Sequence, residues 1–418
     1  MTSVLPPAAD IPSSFGASLK GWWAVGSKES AVSEERLLRR LPFYQAEGAP
    51  PPPESYGVVA KSEMVPLDNP KHFLNTLSIK PLKESSKPAP PPVLLHGYGA
   101  GLGFFLRNFP ALGSWAKQSG TPVYAVDWLG MGRSARPPFR VHAKRHDTAA
   151  RVAQAEEFFV GSLEQWRIKQ GLDKMTLVGH SLGAYLSVAY TLRHPDRVSR
   201  LILLSPAGVP DDPNTEVPSR EVDSAPSTPP GSSTPSMPRP ASTGDIKKLK
   251  AEQTVQKKEE SRSRRLFTYL WEEGWSPFQI VRSTLFFGPW LVGKYSSRRF
   301  SSLTEDETRD MHHYILNITL AKGSGEYCIS HILAPGAVAR MPLVNRISDI
   351  KVPVTFVYGD HDWMDPQGGK DSVEKLHQAG NRHSSMHIIP NAGHHVYLDN
   401  SAAVDRLLIE KLNKTIPA

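Results

Sequence analysis

The sequence predicts an α/β protein built on a mostly parallel sheet. Short apolar runs that are typical of buried strands alternate with segments of helical periodicity between Gly57 and Ile389, a pattern typical of sheets covered by helices. Eight such strands are expected, and the first two form an antiparallel pair. After the sixth strand, residues 263–345 are helical in pattern and rich in aromatic side chains. We therefore expect a helical cap over the carboxyl edge of the sheet.

Composition divides the 418 residues into five segments. Residues 1–56 are rich in Pro, Ser and Ala, and we expect them to be largely disordered apart from the Trp-containing stretch 19–23 and a helical stretch over 30–41. Residues 57–209 and 346–418 form the two parts of the α/β core, and 263–345 form the cap. Residues 210–262 combine clustered prolines with basic residues. Such a composition buries too little apolar surface to fold, so we predict a disordered insertion.

Charge and cysteine content limit the possible partners. The net charge of +8 suits an anionic surface, either membrane phospholipid or nucleic acid. No aromatic and basic motif accompanies that charge, so a nucleic-acid partner is not expected. The single cysteine, Cys328, excludes an internal disulfide and suits a reducing compartment. The histidine pairs at 312/313 and 394/395 lack a third grouped ligand, so neither a metal nor another cofactor is expected.

A serine stands at the apex of a strand, turn and helix pattern. The apolar run 175–178 leads into the turn, and Gly179 and Gly183 flank Ser181 in G-x-S-x-G spacing. Small flanking residues let such a turn close tightly and lift the hydroxyl above the sheet. The alternative is a serine that caps an ordinary helix. The strand and helix in the right order favour a nucleophile elbow.

A serine hydroxyl needs a base within hydrogen-bond reach, and the base needs a carboxylate to orient it. In this architecture the acid and then the histidine follow the serine, each beyond the end of a strand. His394, in the loop before the last helix, is the expected base, and His395 is a neighbour that lies in the pocket or is exposed. Asp362, three residues beyond Gly359, is the expected acid, and Asp365 is the alternative.

An ester-cleaving site also needs backbone N–H groups that hold the oxyanion of the tetrahedral intermediate. Leu182, directly after the serine, is one expected donor. The second is expected from the glycine-rich loop His96–Gly99, where we favour Tyr98.

The N-terminal segment contains adjacent tryptophans. Trp22 and Trp23 follow Lys20, and indole rings beside a lysine suit the interface of a membrane. The alternative, that both rings pack on the domain, stays open. No apolar run approaches the roughly 20 residues of a membrane span.

Several motifs extend these patterns. They are His96-Gly97-Tyr98-Gly99, Asp127-Trp128-Leu129-Gly130-Met131-Gly132-Arg133-Ser134, the Ser181 turn, Leu204-Ser205-Pro206-Ala207-Gly208-Val209, Tyr358-Gly359-Asp360-His361-Asp362-Trp363-Met364-Asp365 and Gly393-His394-His395-Val396-Tyr397-Leu398-Asp399. With them the chain resembles the α/β-hydrolases related to the lipid-droplet lipase co-activator and to the fungal cardiolipin-specific deacylases.

That resemblance implies an α/β-hydrolase fold and acyl chemistry on phospholipids. The expected activity is deacylation of a membrane phospholipid, with cardiolipin favoured, through an acyl-enzyme on Ser181. Transfer of the acyl group to a lysophospholipid is the alternative enzymatic activity. A non-catalytic co-activator is a further alternative, but such members of the family lack the nucleophilic serine. The resemblance also implies a tryptophan-containing segment that touches membrane, and an intracellular, peripheral location, with the mitochondrion favoured over the lipid droplet or cytoplasm.

The pair His394 and Asp399 matches a spacing that this family offers as an acyltransferase signature. Asp399 also precedes the last predicted helix, which begins near Ser401. A carboxylate there is typical of a helix N-cap, and we favour that role for Asp399.

Overall fold

A computed structural model of the chain describes residues 5–211, 239–240, 268–300 and 303–414. Its strands are β1 (Val58–Pro66), β2 (Phe73–Pro81), β3 (Pro92–Leu95), β4 (Val123–Val126), β5 (Met175–His180), β6 (Val198–Leu204), β7 (Arg239–Pro240), β8 (Leu333–Ala334), β9 (Val338–Ala339), β10 (Val354–Gly359) and β11 (Ser385–Ile389). The main sheet has the order β1-β2-β4-β3-β5-β6-β10-β11-β7. Strands β3, β4, β5, β6, β10 and β11 run parallel to one another, whereas β1, β2 and the two-residue β7 pair antiparallel. The expected eight-stranded, mostly parallel sheet is confirmed, and β7 adds a short ninth strand at its edge.

The helices are α1 (Phe15–Ala24), α2 (Ser27–Leu38), α3 (Phe109–Ser119), α4 (Thr148–Lys169), α5 (Leu182–Arg193), α6 (Pro277–Ser283), α7 (Gly288–Arg299), α8 (Glu305–Leu320), α9 (Ile329–Ile332), α10 (Pro366–Gln378), α11 (Val396–Asp399) and α12 (Ser401–Asn413). None of the helices in the described ranges is long and apolar enough to cross a membrane. Short 3-10 turns, including Leu102–Phe105 and Leu285–Phe287, connect several of these elements.

Alternation along the central strands builds a core on each face of the sheet. In β3, Val93 and Leu95 point into the cluster under α4 and α5, whereas Leu94 joins the opposite cluster under α3 and α12. Successive side chains of a strand point to opposite faces, so a strand covered on both sides reads as one apolar run. This is why the strands were recognisable in the sequence.

The described residues between β6 and β10 are mainly helical and contain α6 to α9 and the β8–β9 hairpin. Helix α8 begins at a capping box, in which the Thr304 hydroxyl accepts from the Glu307 N–H and the Glu307 carboxylate accepts from the Thr304 N–H. Reciprocal bonds of this kind satisfy two of the donors at the start of a helix. Of the predicted insertion 210–262, only residues 210–211 and 239–240 lie inside the described ranges.

The N-terminal segment contains two helices that pack on the rest of the chain. Helix α2 buries Leu37 and Leu38 completely and packs against α8, while α1 packs against α7 and the Leu285–Phe287 turn. Helices α1 and α2 fall largely on residues 19–23 and 30–41, the two stretches excepted from the disorder expected over residues 1–56. Their apolar and buried positions recur at helical spacing, which stabilises them through tertiary packing rather than through intrinsic propensity.

Candidate active site

The turn between β5 and α5 holds Ser181 in a strained backbone conformation. Its φ is 51° and its ψ is −117°, a region that non-glycine residues rarely occupy. A Cβ on Gly179 would lie 2.6 Å from the Gly183 carbonyl oxygen, so the close approach of the two chain segments requires glycine. These features are those of a nucleophile elbow, with the hydroxyl raised at the carboxyl edge of the sheet.

Three side chains meet at this edge in hydrogen-bond contact. The Ser181 Oγ lies 3.1 Å from His394 Nε2, and His394 Nδ1 lies 3.2 Å from Asp362 Oδ1. The carboxylate can only accept, so Nδ1 carries the proton and Nε2 is left with a lone pair toward the serine. In this tautomer the imidazole can take the Ser181 proton while Asp362 stabilises the imidazolium that forms.

The topology explains why these residues meet although they are far apart in the sequence. Ser181 follows β5, Asp362 follows β10 and His394 follows β11, and these strands all run parallel to one another within the sheet. The loops after β10 and β11 are packed very closely, since a Cβ on Gly359 would approach the Gly393 carbonyl oxygen to 2.5 Å. This contact fixes the acid loop against the histidine loop.

The structure separates the two candidate acids. Asp362 is 3 % exposed, and its Oδ1 also accepts from the Met364 N–H at 3.0 Å. Asp365 is instead the N-cap of α10 and accepts from the Gln367 N–H at 2.8 Å. A side chain held at a helix start has a structural role there, so the geometry favours Asp362 as the acid.

The expected oxyanion donors border the same space. Leu182 is the first residue of α5, where N–H groups have no partner within the helix. The glycine-rich loop lies against the nucleophile, because a Cβ on Gly97 would lie 3.0 Å from the Ser181 Cβ. The Tyr98 ring packs on Phe278 of α6, with the ring centroids 5.1 Å apart. The assignment of Leu182 and Tyr98 as donors stays a prediction.

Two further histidines surround the base. His180 Nε2 contacts the His394 carbonyl oxygen at 3.0 Å, and the His395 ring stacks on Phe104 at 5.9 Å. Burial lowers the pKa of both His180 and His395 well below the ordinary value. Both therefore stay neutral at physiological pH and add no positive charge beside His394. His180, the residue before the nucleophile, was missed in the sequence, and its place in the elbow motif was the available signal.

Asp399 does not cap the last helix, which corrects the role we favoured. Asn400 is the N-cap of α12 and accepts from the Ala403 N–H at 3.2 Å. Asp399 Oδ2 accepts from the Gly393 N–H at 2.9 Å, and Oδ1 accepts from Arg299 Nη1 at 3.0 Å. Asp399 thus links the residue before His394 to a buried arginine of the cap helix α7. No local pattern pointed to Arg299, because its partner is 100 positions away.

The two tryptophans lie on α1 and differ in exposure. Trp23 is 74 % exposed, whereas Trp22 is partly buried and contacts Trp23 edge to face at 5.1 Å. Further exposed apolar side chains lie on α1 and on the cap segment against which α1 packs. We call this set the apolar face; its members are Phe15, Trp23, Leu285, Phe287 and Leu291.

Within the described part of the chain, no group of three or more His, Cys, Asp or Glu side chains could hold a metal ion.

A serine, a histidine and an aspartate in this contact, at the ends of parallel strands, define the class of serine-nucleophile enzymes. A family model described as alpha/beta hydrolase fold matches residues 90–231. The chain is 33% identical over 390 residues to the probable 1-acylglycerol-3-phosphate O-acyltransferase of Oryza sativa subsp. japonica, a match that spans 91% of this chain and 80% of that protein.

Two human proteins are also similar. The chain is 32% identical over 316 residues to the 1-acylglycerol-3-phosphate O-acyltransferase ABHD5 of Homo sapiens, across 74% of this chain and 73% of that protein. It is 30% identical over 329 residues to the (Lyso)-N-acylphosphatidylethanolamine lipase of Homo sapiens, across 78% of each. The chain belongs to the α/β-hydrolase family. Its fold, its site and these relatives together make it an acyl-handling enzyme, in agreement with the resemblance noted in the sequence.

Proposed function

We propose that this protein transfers acyl groups between membrane phospholipids through an acyl-enzyme on Ser181. The observation that supports this most directly is the contact of the Ser181 hydroxyl with His394, which is itself oriented by buried Asp362. The serine oxygen attacks the ester carbonyl of the donor lipid while its proton passes to His394 Nε2. When the ester C–O bond breaks, the same proton goes to the departing lysophospholipid oxygen and leaves the acyl-enzyme.

The acceptor in the second half-reaction decides between transfer and hydrolysis. A lysophospholipid hydroxyl or a water loses its proton to His394 and attacks the carbonyl of the acyl-enzyme. The bond between the acyl carbon and the Ser181 oxygen then breaks, and His394 returns the proton to that oxygen. The relatives named as 1-acylglycerol-3-phosphate O-acyltransferases support a lysophospholipid acceptor, and the relative named as a lipase supports water. Cardiolipin and phosphatidylcholine are the donors that we propose to compare.

A non-catalytic co-activator would not need the complete set of three side chains. The buried Asp362 carboxylate and the strained Ser181 backbone carry a cost in folding free energy that a scaffold has no use for. These two features therefore favour a catalytic role over that of a scaffold.

The experiment measures where a radioactively labelled acyl chain goes. Vesicles of phosphatidylcholine or cardiolipin carry the labelled chain, and 1-acylglycerol-3-phosphate is added as acceptor. Free fatty acid and acylated acceptor are then separated and counted. Ser181→Ala should abolish both products, whereas Ser114→Ala, an exposed serine on α3, should leave both unchanged. Undiminished turnover in Ser181→Ala would rule out the proposal.

We also propose that the apolar face rests on the membrane that holds the substrate. Its side chains protrude from α1, the Leu285–Phe287 turn and α7. These elements contact one another, and Phe15 of α1 meets the Phe286 and Phe287 rings at 5.1 and 5.8 Å. Exposed Lys20 and Lys294 are on the same elements. Aromatic rings beside lysines suit the headgroup region of an anionic bilayer. The mitochondrial location expected from the sequence belongs to this proposal and is tested by imaging a tagged protein beside mitochondrial and lipid-droplet dyes.

Vesicle sedimentation tests the membrane contact. Trp23→Ala should weaken binding to anionic vesicles, because it removes a large exposed aromatic ring from the interface. Ile168→Ala is the matched control, since Ile168 is 58 % exposed but lies on α4, outside the apolar face. Equal binding of the two variants would contradict the assignment of this face.

A further inference from the structure

A buried carboxylate of the N-terminal segment lies outside the triad and contacts the core. Glu34 on α2 has no exposed surface. Its Oε1 accepts from Arg133 Nη1 at 2.6 Å and from the Ser62 hydroxyl at 3.3 Å. Its Oε2 accepts from Asn75 Nδ2 at 2.8 Å. An isolated carboxylate in this position would be very costly, so these donors are needed to keep it buried.

Asn75 connects Glu34 to a second buried carboxylate. The same Asn75 amide nitrogen donates its other proton to Asp127 Oδ2 at 2.8 Å. Asp127 Oδ2 also accepts from the Arg133 N–H, and Oδ1 accepts from the Leu102 N–H at 2.7 Å. A continuous series of hydrogen bonds therefore runs from α2 to Leu102. Leu102 is the last residue of a loop, residues 96–102, that begins with the glycine-rich stretch His96–Gly99. We call Glu34, Asn75 and Asp127 the carboxylate cluster.

Trp128, the residue after Asp127, holds His96 at the start of that loop. The Trp128 N–H donates to His96 Nε2 at 3.1 Å, and the Trp128 indole donates to the His96 carbonyl oxygen at 3.0 Å. Gly97 and Tyr98, next to the nucleophile, lie between the two attachments. Because both ends of residues 96–102 are tied to Asp127 or Trp128, the position of residues 127–128 fixes the loop beside Ser181.

Burying the two carboxylates of the carboxylate cluster costs free energy of desolvation. Burial raises the pKa of Glu34, the Arg133 charge lowers it and the Asp127 charge raises it, and together these effects bring it from 4.5 to about 7. Replacing buried polar groups with apolar ones of similar size is often neutral or stabilising. A structural role alone is therefore a weak explanation for a second carboxylate brought in from a separate helix.

We propose that Glu34 is a positioning residue for the oxyanion loop: α2 holds residues 96–102 in place beside Ser181 through Asn75 and Asp127. The N-terminal segment is then part of the catalytic machinery and more than a membrane anchor. The inference rests on the proposed function only in so far as this loop serves the oxyanion formed at Ser181.

The experiment compares Glu34→Gln with Glu35→Gln. Glu35 is the adjacent glutamate on the same helix and pairs with Arg39 at 2.7 Å at the surface. The readouts are the rate of Ser181 labelling by a fluorophosphonate, kcat and KM for a soluble ester, Tm, and hydrogen exchange of the amides in residues 96–106. Glu34→Gln should slow labelling and lower kcat at least about tenfold, leave KM within about twofold, and speed exchange in the loop. Glu35→Gln should match the wild type in all of them.

Unchanged labelling, kcat and loop exchange in Glu34→Gln, together with a lower Tm, would overturn the proposal and leave the cluster a purely structural one. If Glu34→Gln does not fold, Glu34→Asp replaces it. That variant keeps the charge but shortens the reach, so it should slow labelling in the same direction by a smaller factor, and wild-type rates would contradict the proposal. Labelling without acyl transfer in the wild type would refute the proposed function alone, because the loop measurements do not need a phospholipid.

Discussion

The two aspartates of the β10–α10 loop provide a sharp test of the site, since they are three positions apart and differ in what they contact. Asp362→Asn keeps the size of the side chain and removes its charge beside His394. Asp365→Asn makes the same chemical change at the N-cap of α10. Asparagine and aspartate are about equally good N-caps, so the second variant should fold and react like the wild type.

The expected loss of rate in Asp362→Asn follows from the distance between Asp362 and His394. When His394 takes the serine proton, the imidazolium Nδ1 lies 3.2 Å from Asp362 Oδ1. With an effective dielectric constant of about 20, unit charges at that distance attract by about 5 kcal/mol. Loss of that attraction in the transition state corresponds to nearly four powers of ten in rate, which agrees with the roughly 10⁴-fold effect known for an aspartate-to-asparagine change in serine triads.

The assay is the initial rate of hydrolysis of a soluble ester, with Tm measured for each variant to show that it folds. We expect kcat to fall by about 10⁴ for Asp362→Asn and to stay within about twofold for Asp365→Asn. Loss of activity in Asp365→Asn together with retained activity in Asp362→Asn would refute the assignment of Asp362 as the acid. That result would make Asp365 the acid after a rearrangement of the loop.

Three further changes test other parts of the account. Burial raises the pKa of Asp405 from 3.8 to about 7, so this group lowers the free energy of unfolding as pH rises from about 4 to 7. The free energy of unfolding of Asp405→Asn, measured by urea titration, should therefore depend less on pH over this range than that of the wild type. The same pH dependence in both proteins would contradict this. Gly359→Ala should cost about 1–3 kcal/mol of stability by clashing with the loop that carries His394. Gly16→Ala, at an exposed position of α1 with nothing within 4 Å of the added Cβ, should cost none. Equal midpoints of denaturation for the two variants would count against the close packing at Gly359. Asp399→Ala should reduce transfer and hydrolysis by the same factor, since Asp399 holds the N–H before His394; product analysis showing loss of transfer alone would instead indicate a role with the acceptor.

The parts that could be predicted from the sequence depend on local patterns. The strands of the sheet are apolar runs bounded by polar residues, and the nucleophile and base follow strand ends in the order that the architecture requires. Asp362 and Asp365 could not be separated in this way, because both lie in one short loop. The difference between them arises from where α10 begins, which Asp365 marks as its N-cap.

The contacts that could not be predicted join residues distant in the chain. Arg133 and Glu34 are 99 positions apart, and Arg299 and Asp399 are 100 positions apart. A single charged residue in a helical pattern is more often solvated than buried, so neither Glu34 nor Arg299 gave a local signal. Helices α1 and α2 fall on stretches that the sequence singled out, but their packing on α7 and α8 is again a contact between distant parts of the chain.

The central claim is that a phospholipid acyl chain becomes bonded to Ser181. The direct measurement is rapid acid quenching of the protein mixed with a phospholipid of defined acyl chain, followed by mass spectrometry of the intact protein and its peptides. We expect the mass of one acyl group on the peptide that contains Ser181, and none on Ser181→Ala. Acyl transfer that proceeds in Ser181→Ala, or an acyl group bonded to another residue of the wild type, would contradict the account.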